Sequence, residues 1–383
     1  MKRIGFGTTA LQEGLSRGHV DGIGVYTKNL WEAFAAADQG GRLTKQAISF
    51  GRNNSSQETN ELLGEIIYLP PSYAIQAARS IISGKPFLGS ETLEREIDLF
   101  FAPDHHIPRL KHKPVIATIH DAYPLIYPKL VSRRLRWFKN KAFKYASHWA
   151  DHIITISEHS KRDIIRYFDI SKEKISVIPN GVNPMFMERI PEETKESVCR
   201  KYGLSGRFYL FVGTIQPRKN LSRVIEAYTS LSPELRQKHP LVIVGHYGWG
   251  EEQLKQKLES LGKTDTIFWL KDVTDKELYA ILQSALAMVH PSLYEGFGLP
   301  ILEGFASQIP IITSATTSIP EVAADAACYI DPLSTADIAA KMEQIAQDEA
   351  LRATLIHKGW QRVQHYSWER TAAEHLKLFR NYL

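Results

Sequence analysis

The stretch HPSLYEGFGLPILEG, residues 290–304, places two carboxylates, Glu295 and Glu303, eight residues apart on either side of a Gly-x-Gly turn. Pro300 has no amide hydrogen to lose at the first position of a helix, and its fixed φ suits that position. We therefore predict that a helix begins at Pro300, with Glu295 in the preceding loop and Glu303 in the first helical turn. Glycines let the backbone approach a ligand and leave amides for negative oxygens. The stretch predicts a pocket for a ligand with hydroxyls and phosphates, such as a nucleotide sugar.

Short apolar runs separated by helical patterns lie on both sides of this stretch. They follow a predicted first strand at residues 1–7 and cover residues 115–119, 152–156, 174–178, 208–213, 240–245, 267–270, 285–289 and 309–313. Runs of this kind, buried on both faces, are typical of parallel sheets with helices on each side. The series restarts after residue 200, beyond a polar, Pro-containing stretch at 183–196. The pattern therefore predicts an α/β protein with two Rossmann-like, doubly wound domains, whose ligands bind beyond the carboxyl ends of the strands.

Length and composition narrow the class of protein. At 383 residues the chain is long enough for two domains. Its 43% hydrophobic and 23% charged residues are typical of globular protein. Cys199 and Cys328 have no metal or redox spacing, which favours a reducing compartment. No apolar run approaches the roughly 18 residues that a membrane span needs, and the N-terminus does not resemble a signal peptide. We expect a cytoplasmic protein.

The net charge of +5 is unevenly distributed. Residues 127–150 contain no acid, and their basic residues are Lys129, Arg133, Arg134, Arg136, Lys139, Lys141 and Lys144. Apolar residues recur there at helical spacing: Leu135, Phe138, Ala142, Tyr145 and Trp149. This pattern predicts an amphipathic helix over 129–149. It is either an ordinary solvated surface helix or a peripheral contact with an anionic membrane or a lipid-diphosphate acceptor. A nucleic-acid partner is not expected, because no nucleic-acid motif accompanies the single cluster.

Five segments together resemble a known family. They are DGIGVY at 21–26, TIHD at 118–121, VIPNGV at 177–182, FVGTIQPRKNL at 211–221 and the Glu-x7-Glu pair at 295–303. In this order they resemble the retaining glycosyltransferases of family 4, and the 211–221 segment most resembles the mannosyltransferase B-like branch. The resemblance implies a GT-B fold, with two Rossmann-like domains facing a cleft. It assigns residues 1–185 to an acceptor domain, completed by a returning helix at 368–383, and residues 200–367 to a nucleotide-sugar donor domain.

Arg218 and Lys219 follow a predicted strand and a turn at Gly213. An isolated Arg-Lys pair usually lies on the solvated surface, but a pair that follows a strand and a glycine turn can bind a diphosphate. Fixed cations directed at the charge that grows on a leaving diphosphate stabilise the transition state more than the ground state. The resemblance implies this role for both residues, with Gly213 in the same donor-binding turn.

The other catalytic and donor-binding residues are assigned by the same resemblance. Glu303 would accept hydrogen bonds from the donor ribose, and Glu295 from hydroxyls of the transferred sugar. Read alone, Glu303 is also consistent with a favourable charge at a helix N-terminus. His120 would hydrogen-bond the donor sugar or its leaving oxygen, although a lone histidine at a strand end is more often structural.

Backbone amides complete the expected donor site. Those of Phe297, Gly298 and Leu299 would hold sugar or phosphate oxygens at a helix start. Gly22 and Gly24 would open the first helix of the N-terminal domain, where free amides could meet the donor phosphate. A plain turn is the alternative for this second pair.

The acidic and histidine residues do not indicate a metal site. Asp104, His105 and His106 follow one another at the end of a predicted strand, but no Asp-x-Asp occurs in the chain. We therefore expect no catalytic metal and no cofactor apart from the donor substrate, and a cleft-lining or acceptor role for Asp104 and its neighbours.

The resemblance implies transfer of a hexose, with retention of configuration, from a nucleotide sugar to a glycan or lipid-linked glycan acceptor in bacterial surface polysaccharide synthesis. GDP-mannose is the favoured donor and UDP-sugars are the main alternative. A front-face reaction is favoured, and a covalent route remains open. A GT-B nucleotide-sugar 2-epimerase and a non-catalytic nucleotide-sugar-binding subunit are the rival functions.

Overall fold

The computed structural model describes residues 1–18, 20–38, 41, 43–53, 56–128, 136–250, 252–261 and 266–383, without the side chains of 136–139, 252 and 261. Within these residues the chain divides into two compact units. The first unit comprises residues 1–181 and 368–383, and the second comprises residues 182–367.

The first unit contains a seven-stranded sheet in which every neighbouring pair is parallel. Its strands are β1 (Lys2–Gly7), β2 (Leu43–Phe50), β3 (Ile66–Leu69), β4 (Leu99–Ala102), β5 (Val115–Thr118), β6 (His152–Thr155) and β7 (Ile175–Val177). Their order is β3-β2-β1-β4-β5-β6-β7, so the strand order reverses between β1 and β4. Ligands of doubly wound sheets bind beyond the strand ends at this reversal.

Helices flank this sheet. They are α1 (Thr9–Ser16), α2 (Gly22–Ala37), α3 (Gln57–Leu63), α4 (Tyr73–Ser83), α5 (Ser90–Glu96), α6 (Tyr123–Ile126), α7 (Arg136–Ser147), α8 (Glu158–Phe168) and the last helix of the chain, α18 (Trp368–Arg380). A 3₁₀ turn, Lys172–Lys174, precedes β7. Helix α18 packs against α2, and their Phe379 and Phe34 rings are 6.0 Å apart. The predicted return of the chain to the N-terminal domain is therefore confirmed.

The second unit contains a six-stranded parallel sheet with the order β10-β9-β8-β11-β12-β13. Its strands are β8 (Tyr209–Val212), β9 (Leu241–Val244), β10 (Ile267–Leu270), β11 (Ala287–His290), β12 (Ile311–Ser314) and β13 (Cys328–Ile330). Its helices are α9 (Glu192–Lys201), α10 (Leu221–Ser230), α11 (Pro233–Lys238), α12 (Glu252–Leu261), α13 (Asp275–Ser284), α14 (Leu299–Ala306), α15 (Ile319–Ala323), α16 (Thr335–Gln347) and α17 (Glu349–Val363). Two 3₁₀ turns, Pro184–Met187 and Pro217–Lys219, complete it.

The apolar runs at 115–119, 240–245 and 309–313, like the others named above, each overlap a strand, so the two doubly wound sheets are confirmed. The sequence analysis did not identify β2, β3 or β13. Strand β2 is only part-buried over its first half and includes Lys45 and Gln46, whereas β3 lies at the sheet edge and β13 has three residues. The prediction that Gly22 opens the first helix was wrong, because α1 precedes α2.

The predicted basic helix falls partly outside the described residues. Residues 129–135 are not described, and α7 covers Arg136–Ser147. Tyr145, which the pattern placed on the apolar side of the helix, is exposed, whereas Ala146 is buried and Ala142 is half-buried, so the predicted apolar side was wrong at Tyr145. None of the helices in the described ranges combines the length and apolar character needed to cross a bilayer.

Candidate active site

The loop between β11 and α14 carries the stretch that was quoted first. Gly298, at φ +105°, precedes α14, which begins at Leu299 with Pro300 as its second residue. The prediction that the helix begins at Pro300 was therefore wrong by one position. Glu303 is the fifth helical residue and lies just beyond the first turn, so the prediction of a first-turn carboxylate was also wrong. A left-handed φ is sterically open to glycine, which explains why Gly298 occupies the turn.

Glu295 is buried and bound by two cations. Arg218 Nη1 donates to its Oε2 at 2.7 Å, and Lys219 Nζ donates to its Oε1 at 2.6 Å. His290, the last residue of β11, places Nε2 3.1 Å from the same Oε1. Ser292 Oγ is also 3.1 Å from that nitrogen. The predicted catalytic residues of the second unit therefore form one hydrogen-bonded network at the carboxyl ends of neighbouring strands β8 and β11.

Burial and charge act against each other in this network. Burial opposes ionisation of Glu295, but Arg218 and Lys219, assisted by His290, outweigh it and hold the carboxyl pKa well below its usual range. Burial lowers the pKa of Lys219, and Glu295 offsets part of this effect. Burial, followed by the charge of Lys219, lowers the pKa of His290, so this histidine is neutral. The site thus combines two cations with one carboxylate and retains net positive charge.

The basic pair occupies a short, tightly fixed turn. Arg218 and Lys219 lie in the Pro217–Lys219 3₁₀ turn, which ends at Asn220 in the left-handed conformation. Asn220 Nδ2 donates to Pro291 O at 3.1 Å and to Pro332 O at 2.7 Å, which ties this turn to the loop after β11. Gly213, at φ +134°, sits at the start of the turn region, and its amide donates to Val244 O at 3.0 Å. Gly213 therefore supplies the backbone conformation of the turn and no amide for a ligand, because its amide is bonded to strand β9.

Hydroxyl groups that the sequence analysis missed support the Glu295 loop. Ser318 Oγ donates to Glu295 O at 2.9 Å and to Phe297 O at 3.1 Å. Thr317 Oγ1 accepts from the Glu295 amide at 3.2 Å, and Ser314 Oγ donates to Ser292 O at 2.6 Å. The sequence feature that could have indicated these hydroxyl groups is the run TSATTS at 313–318, which begins within β12 and continues past its carboxyl end. His290 was also missed, although it opens the quoted stretch.

Glu303 differs from Glu295 in its surroundings. It keeps part of its surface exposed, yet burial raises its carboxyl pKa to about 7, while Lys219 opposes the shift and Asp275 adds to it. Near neutral pH it is therefore shared between protonated and ionised forms. Glu295, by contrast, stays ionised throughout the physiological range.

His120 lies beyond the end of β5 in the first unit. Its Nε2 is 2.9 Å from Pro103 O, and a carbonyl can only accept, so Nε2 carries the hydrogen. Burial lowers the His120 pKa, with a smaller opposing effect from that hydrogen bond. The ring is consequently neutral, and its Nδ1 is a hydrogen-bond acceptor. The edge-to-face contact with Tyr26, whose ring centroid is 4.7 Å away, fixes the ring orientation.

Tyr26 connects His120 to the last helix. Its hydroxyl is 3.0 Å from Thr118 Oγ1 and 2.9 Å from His375 Nε2. His375 Nδ1 faces Thr371 O at 2.7 Å, so Nδ1 carries the hydrogen and Nε2 accepts from the tyrosine. Burial lowers the His375 pKa to about 4, which keeps this arrangement neutral.

Two sequence predictions in the first unit need adjustment. The Gly24 amide is not free for a phosphate, because it donates to the helix-capping Asp21 Oδ1 at 2.9 Å. Asp104 is buried and accepts from the Ala10 amide at 3.0 Å and the His106 amide at 2.9 Å. Its carboxylate also holds His106 Nδ1 at 2.8 Å, so it serves the local structure. Among the described residues there is no group of three or more acidic, histidine or cysteine side chains placed to hold a metal ion.

Two parallel, doubly wound units with a charged network at the strand ends of one of them are the architecture of the GT-B fold. The family model "Glycosyltransferase Family 4" matches residues 20–186, and "Glycosyl transferases group 1" matches residues 200–362. The chain is 30% identical over 283 residues to O-antigen chain mannosyltransferase B of Escherichia coli, with 74% of each chain covered. This chain belongs to glycosyltransferase family 4, and its resemblance to the mannosyltransferase B-like branch is confirmed.

Solved structures agree with the fold. Sucrose-phosphate synthase of Thermosynechococcus elongatus superposes with a TM-score of 0.75 at 18% identity, covering 100% of this chain and 99% of that one. HepE of Anabaena, in complex with UDP-glucose, gives a TM-score of 0.74 at 16% identity, covering 100% of both chains. At these identities the likeness establishes the fold alone.

Proposed function

We propose that this enzyme transfers a mannosyl residue from GDP-mannose, with retention of configuration, to a glycan or lipid-linked glycan acceptor of bacterial surface polysaccharide. The observation that carries the proposal is the buried network in which Arg218 and Lys219 hold Glu295 at 2.7 and 2.6 Å. A nucleoside diphosphate leaving group needs such fixed cations, because its charge increases as the sugar–phosphate bond breaks. The choice of mannose is supported by the relative named as an O-antigen mannosyltransferase.

In this proposal Arg218 and Lys219 bind the diphosphate, and the Glu303 carboxylate accepts hydrogen bonds from the ribose hydroxyls. Glu295 has a double role. It neutralises part of the charge of the two cations, and its remaining lone pairs accept from hydroxyls of the transferred sugar. The amides of Phe297, Gly298 and Leu299 contact sugar or phosphate oxygens at the start of α14. In the first unit, the Nδ1 acceptor of His120 binds a sugar hydroxyl, and Gly22 contributes an amide at the start of α2.

The proposed reaction is a front-face displacement. The acceptor oxygen forms its bond to the anomeric carbon on the side from which the diphosphate oxygen leaves. The acceptor proton passes to that leaving phosphate oxygen. The two cations supply the positive charge for this step, so the proposed reaction is metal-independent. A carboxylate nucleophile is the alternative, but Glu295 is held in place by two ion pairs and makes a poor candidate.

A UDP-sugar is the competing donor. The HepE structure that shares this fold contains UDP-glucose, and the network described above contacts features common to all nucleoside diphosphates. We propose that the enzyme acts at the inner face of the cytoplasmic membrane, where a lipid-linked acceptor is available. The acid-free helix within 129–149 provides the contact with anionic lipid.

The test combines donor binding with turnover. Thermal unfolding is followed with GDP-mannose, UDP-glucose and UDP-N-acetylglucosamine, since a donor that binds the folded state raises the melting temperature. We expect GDP-mannose to give the largest shift and Lys219→Ala to abolish it. Lys201→Ala is the matched control, because Lys201 also pairs with a glutamate of the second unit but lies at the surface. A shift with UDP-glucose alone would refute the donor assignment, and a nucleotide-sugar epimer formed without acceptor would refute the transferase.

A further inference from the structure

We propose that one surface of the first unit, built from residues 73–89, 105–113 and 140–150, docks on an anionic lipid bilayer through inserted isoleucines of α4. We call this surface the basic face. Its basic residues are Arg79, Lys85, Arg109, Lys111, Lys113, Lys141 and Lys144, and the three segments contain no Asp or Glu. The inference extends the membrane contact of the proposed function, and it moves the centre of that contact from α7 to α4.

Direct contacts bring the three segments together. The Phe87 amide donates to Arg109 O at 3.0 Å, and Arg109 Nη1 donates to Ser80 O of α4 at 3.4 Å. Helices α4 and α7 pack on each other. The Phe87 ring meets the Trp149 ring edge-on at 5.7 Å. Cations that lie between Arg79 and Lys144 in the sequence therefore share one surface, and their potentials add.

Acidic neighbours neutralise only part of this charge. Lys113 Nζ lies 3.6 Å from Asp98 Oδ1, and Lys144 pairs with Asp169. The Glu94 carboxylate accepts from the Lys111 amide at 2.8 Å and from the His112 amide at 2.9 Å. Arg79 instead donates to the Pro86 carbonyl at 2.7 Å, a bond that fixes the guanidinium but leaves its charge intact. The seven basic residues of the basic face outnumber these three carboxylates, so a positive excess remains.

The apolar part of the basic face distinguishes a bilayer from other anions. Ile75 is 58% exposed and Ile82 is 86% exposed. They are seven residues apart on α4, two helical turns, so they lie on the same side of the helix. Tyr145 of α7 is 49% exposed, and tyrosine is favoured where an apolar region meets water. Exposed isoleucines between lysines and arginines suit insertion among lipid acyl chains and headgroups, whereas a nucleic acid or an acidic glycan gives isoleucine no partner.

The experiment measures partitioning of the full-length protein onto vesicles by flotation. We expect binding to phosphatidylcholine vesicles that contain about 30% phosphatidylglycerol, and binding at least about tenfold weaker to phosphatidylcholine alone. The double variant Ile75→Ser/Ile82→Ser should lose about tenfold or more on the anionic vesicles. The double variant Lys85→Gln/Lys141→Gln should lose about fivefold for each cation removed. Neither pair belongs to the proposed catalytic network.

Matched controls come from the second unit. Leu333 is 63% exposed and Lys257 is exposed. Leu333→Ser and Lys257→Gln therefore remove an exposed apolar side chain and an exposed cation outside the basic face, and they should leave vesicle binding unchanged. The melting temperature of every variant reports on folding, and the shift produced by GDP-mannose reports on the donor site. Loss of that shift with vesicle binding intact would refute the proposed function alone.

Two results would overturn the basic face as a membrane site. One is unchanged vesicle binding by both double variants. The other is tight binding of the protein to a single-stranded oligonucleotide that displaces the vesicles and does not depend on Ile75 or Ile82, since this would identify a general polyanion surface.

Discussion

The two units differ in the charge state of their buried polar side chains. In the second unit, buried charges are kept ionised by pairing, with Glu295 held by Arg218 and Lys219. In the first unit, burial keeps two histidines neutral, and their hydrogen bonds to backbone carbonyls, His120 to Pro103 and His375 to Thr371, fix the ring tautomers. A permanently charged site suits a diphosphate, whereas a neutral acceptor suits a sugar hydroxyl. The comparison therefore supports assigning the leaving diphosphate to the second unit, and one sugar-hydroxyl contact, that of His120, to the first.

The largest expected effect comes from removing a cation of the second unit. We expect Lys219→Met to lower kcat about 10²- to 10³-fold, because one fixed charge directed at the leaving diphosphate is lost. The fold should survive, since Arg218 still pairs with the buried Glu295. Steady-state transfer from GDP-mannose and the melting temperature measure the two quantities. Activity within a few-fold of the wild type would contradict the role of the charged network.

The second prediction concerns the internal counter-ion. Glu295→Gln removes the carboxylate that competes with a diphosphate for Arg218 and Lys219, so we expect GDP to bind about tenfold more tightly while turnover falls. Calorimetric titration of GDP measures the first effect and initial rates measure the second. Glu226→Gln, a change on the surface helix α10, is the charge control. Weaker GDP binding in Glu295→Gln would show that Glu295 organises the cations instead of competing for them.

Sequence alone predicted the fold better than it predicted the site. Repeated buried runs sufficed for two parallel sheets, because the signal is summed over many residues. The half-exposed strand β2 was not predicted, because Lys45 and Gln46 interrupt its apolar character. In the site, the motif residues Arg218, Lys219 and Glu295 were identified. Their mutual ion pairing was not foreseen, because it depends on the register between β8 and β11.

The missed supporting groups have a common physical cause. Ser318 and Thr317 act through hydroxyl contacts with the backbone and amide of the Glu295 loop, and the identity of a serine does not indicate which carbonyl it will meet. The Gly24 amide was expected to be free for a phosphate, but it donates to the capping Asp21 side chain. Local competition for hydrogen bonds decides such cases, and it becomes visible only in three dimensions.

The third prediction separates Glu303 from Glu295 by pH. In the proposed ribose role, Glu303 must be ionised to accept from both hydroxyls, and its pKa is raised to about 7 in the second unit. We expect the dissociation constant of GDP-mannose to rise as the pH falls below 7, by up to about tenfold per pH unit. Glu303→Gln should remove this dependence. Binding measured from pH 5.5 to 8 by calorimetry tests it, and a flat wild-type profile would contradict the ribose role.

The same pKa makes a prediction about stability. Burial raises the Glu303 pKa above that of the unfolded chain, so the folded state holds its proton over a pH range in which the unfolded state has lost it. The contribution of Glu303 to stability is fully present below the unfolded pKa and is lost as the pH rises to about 7. We expect the urea midpoint of the wild type to fall across this window relative to Glu303→Gln. Parallel midpoints for the two proteins would contradict the raised pKa.

The smallest expected effect tests the neutral site of the first unit, where Tyr26 acts as a positioning residue for His120. Tyr26→Phe keeps the ring edge that meets His120 at 4.7 Å and loses only the hydroxyl bonds to Thr118 and His375. We expect about 1–2 kcal/mol of lost stability and turnover within about twofold of the wild type. Tyr26→Leu removes the ring as well, so turnover should fall about tenfold and the His120 pKa seen by NMR should move. Phe34→Leu, another buried aromatic of α2, is the matched control and should change stability without changing the His120 signal. Equal turnover in Tyr26→Phe and Tyr26→Leu would show that the ring only fills space, and that His120 is oriented by its bond to Pro103 alone.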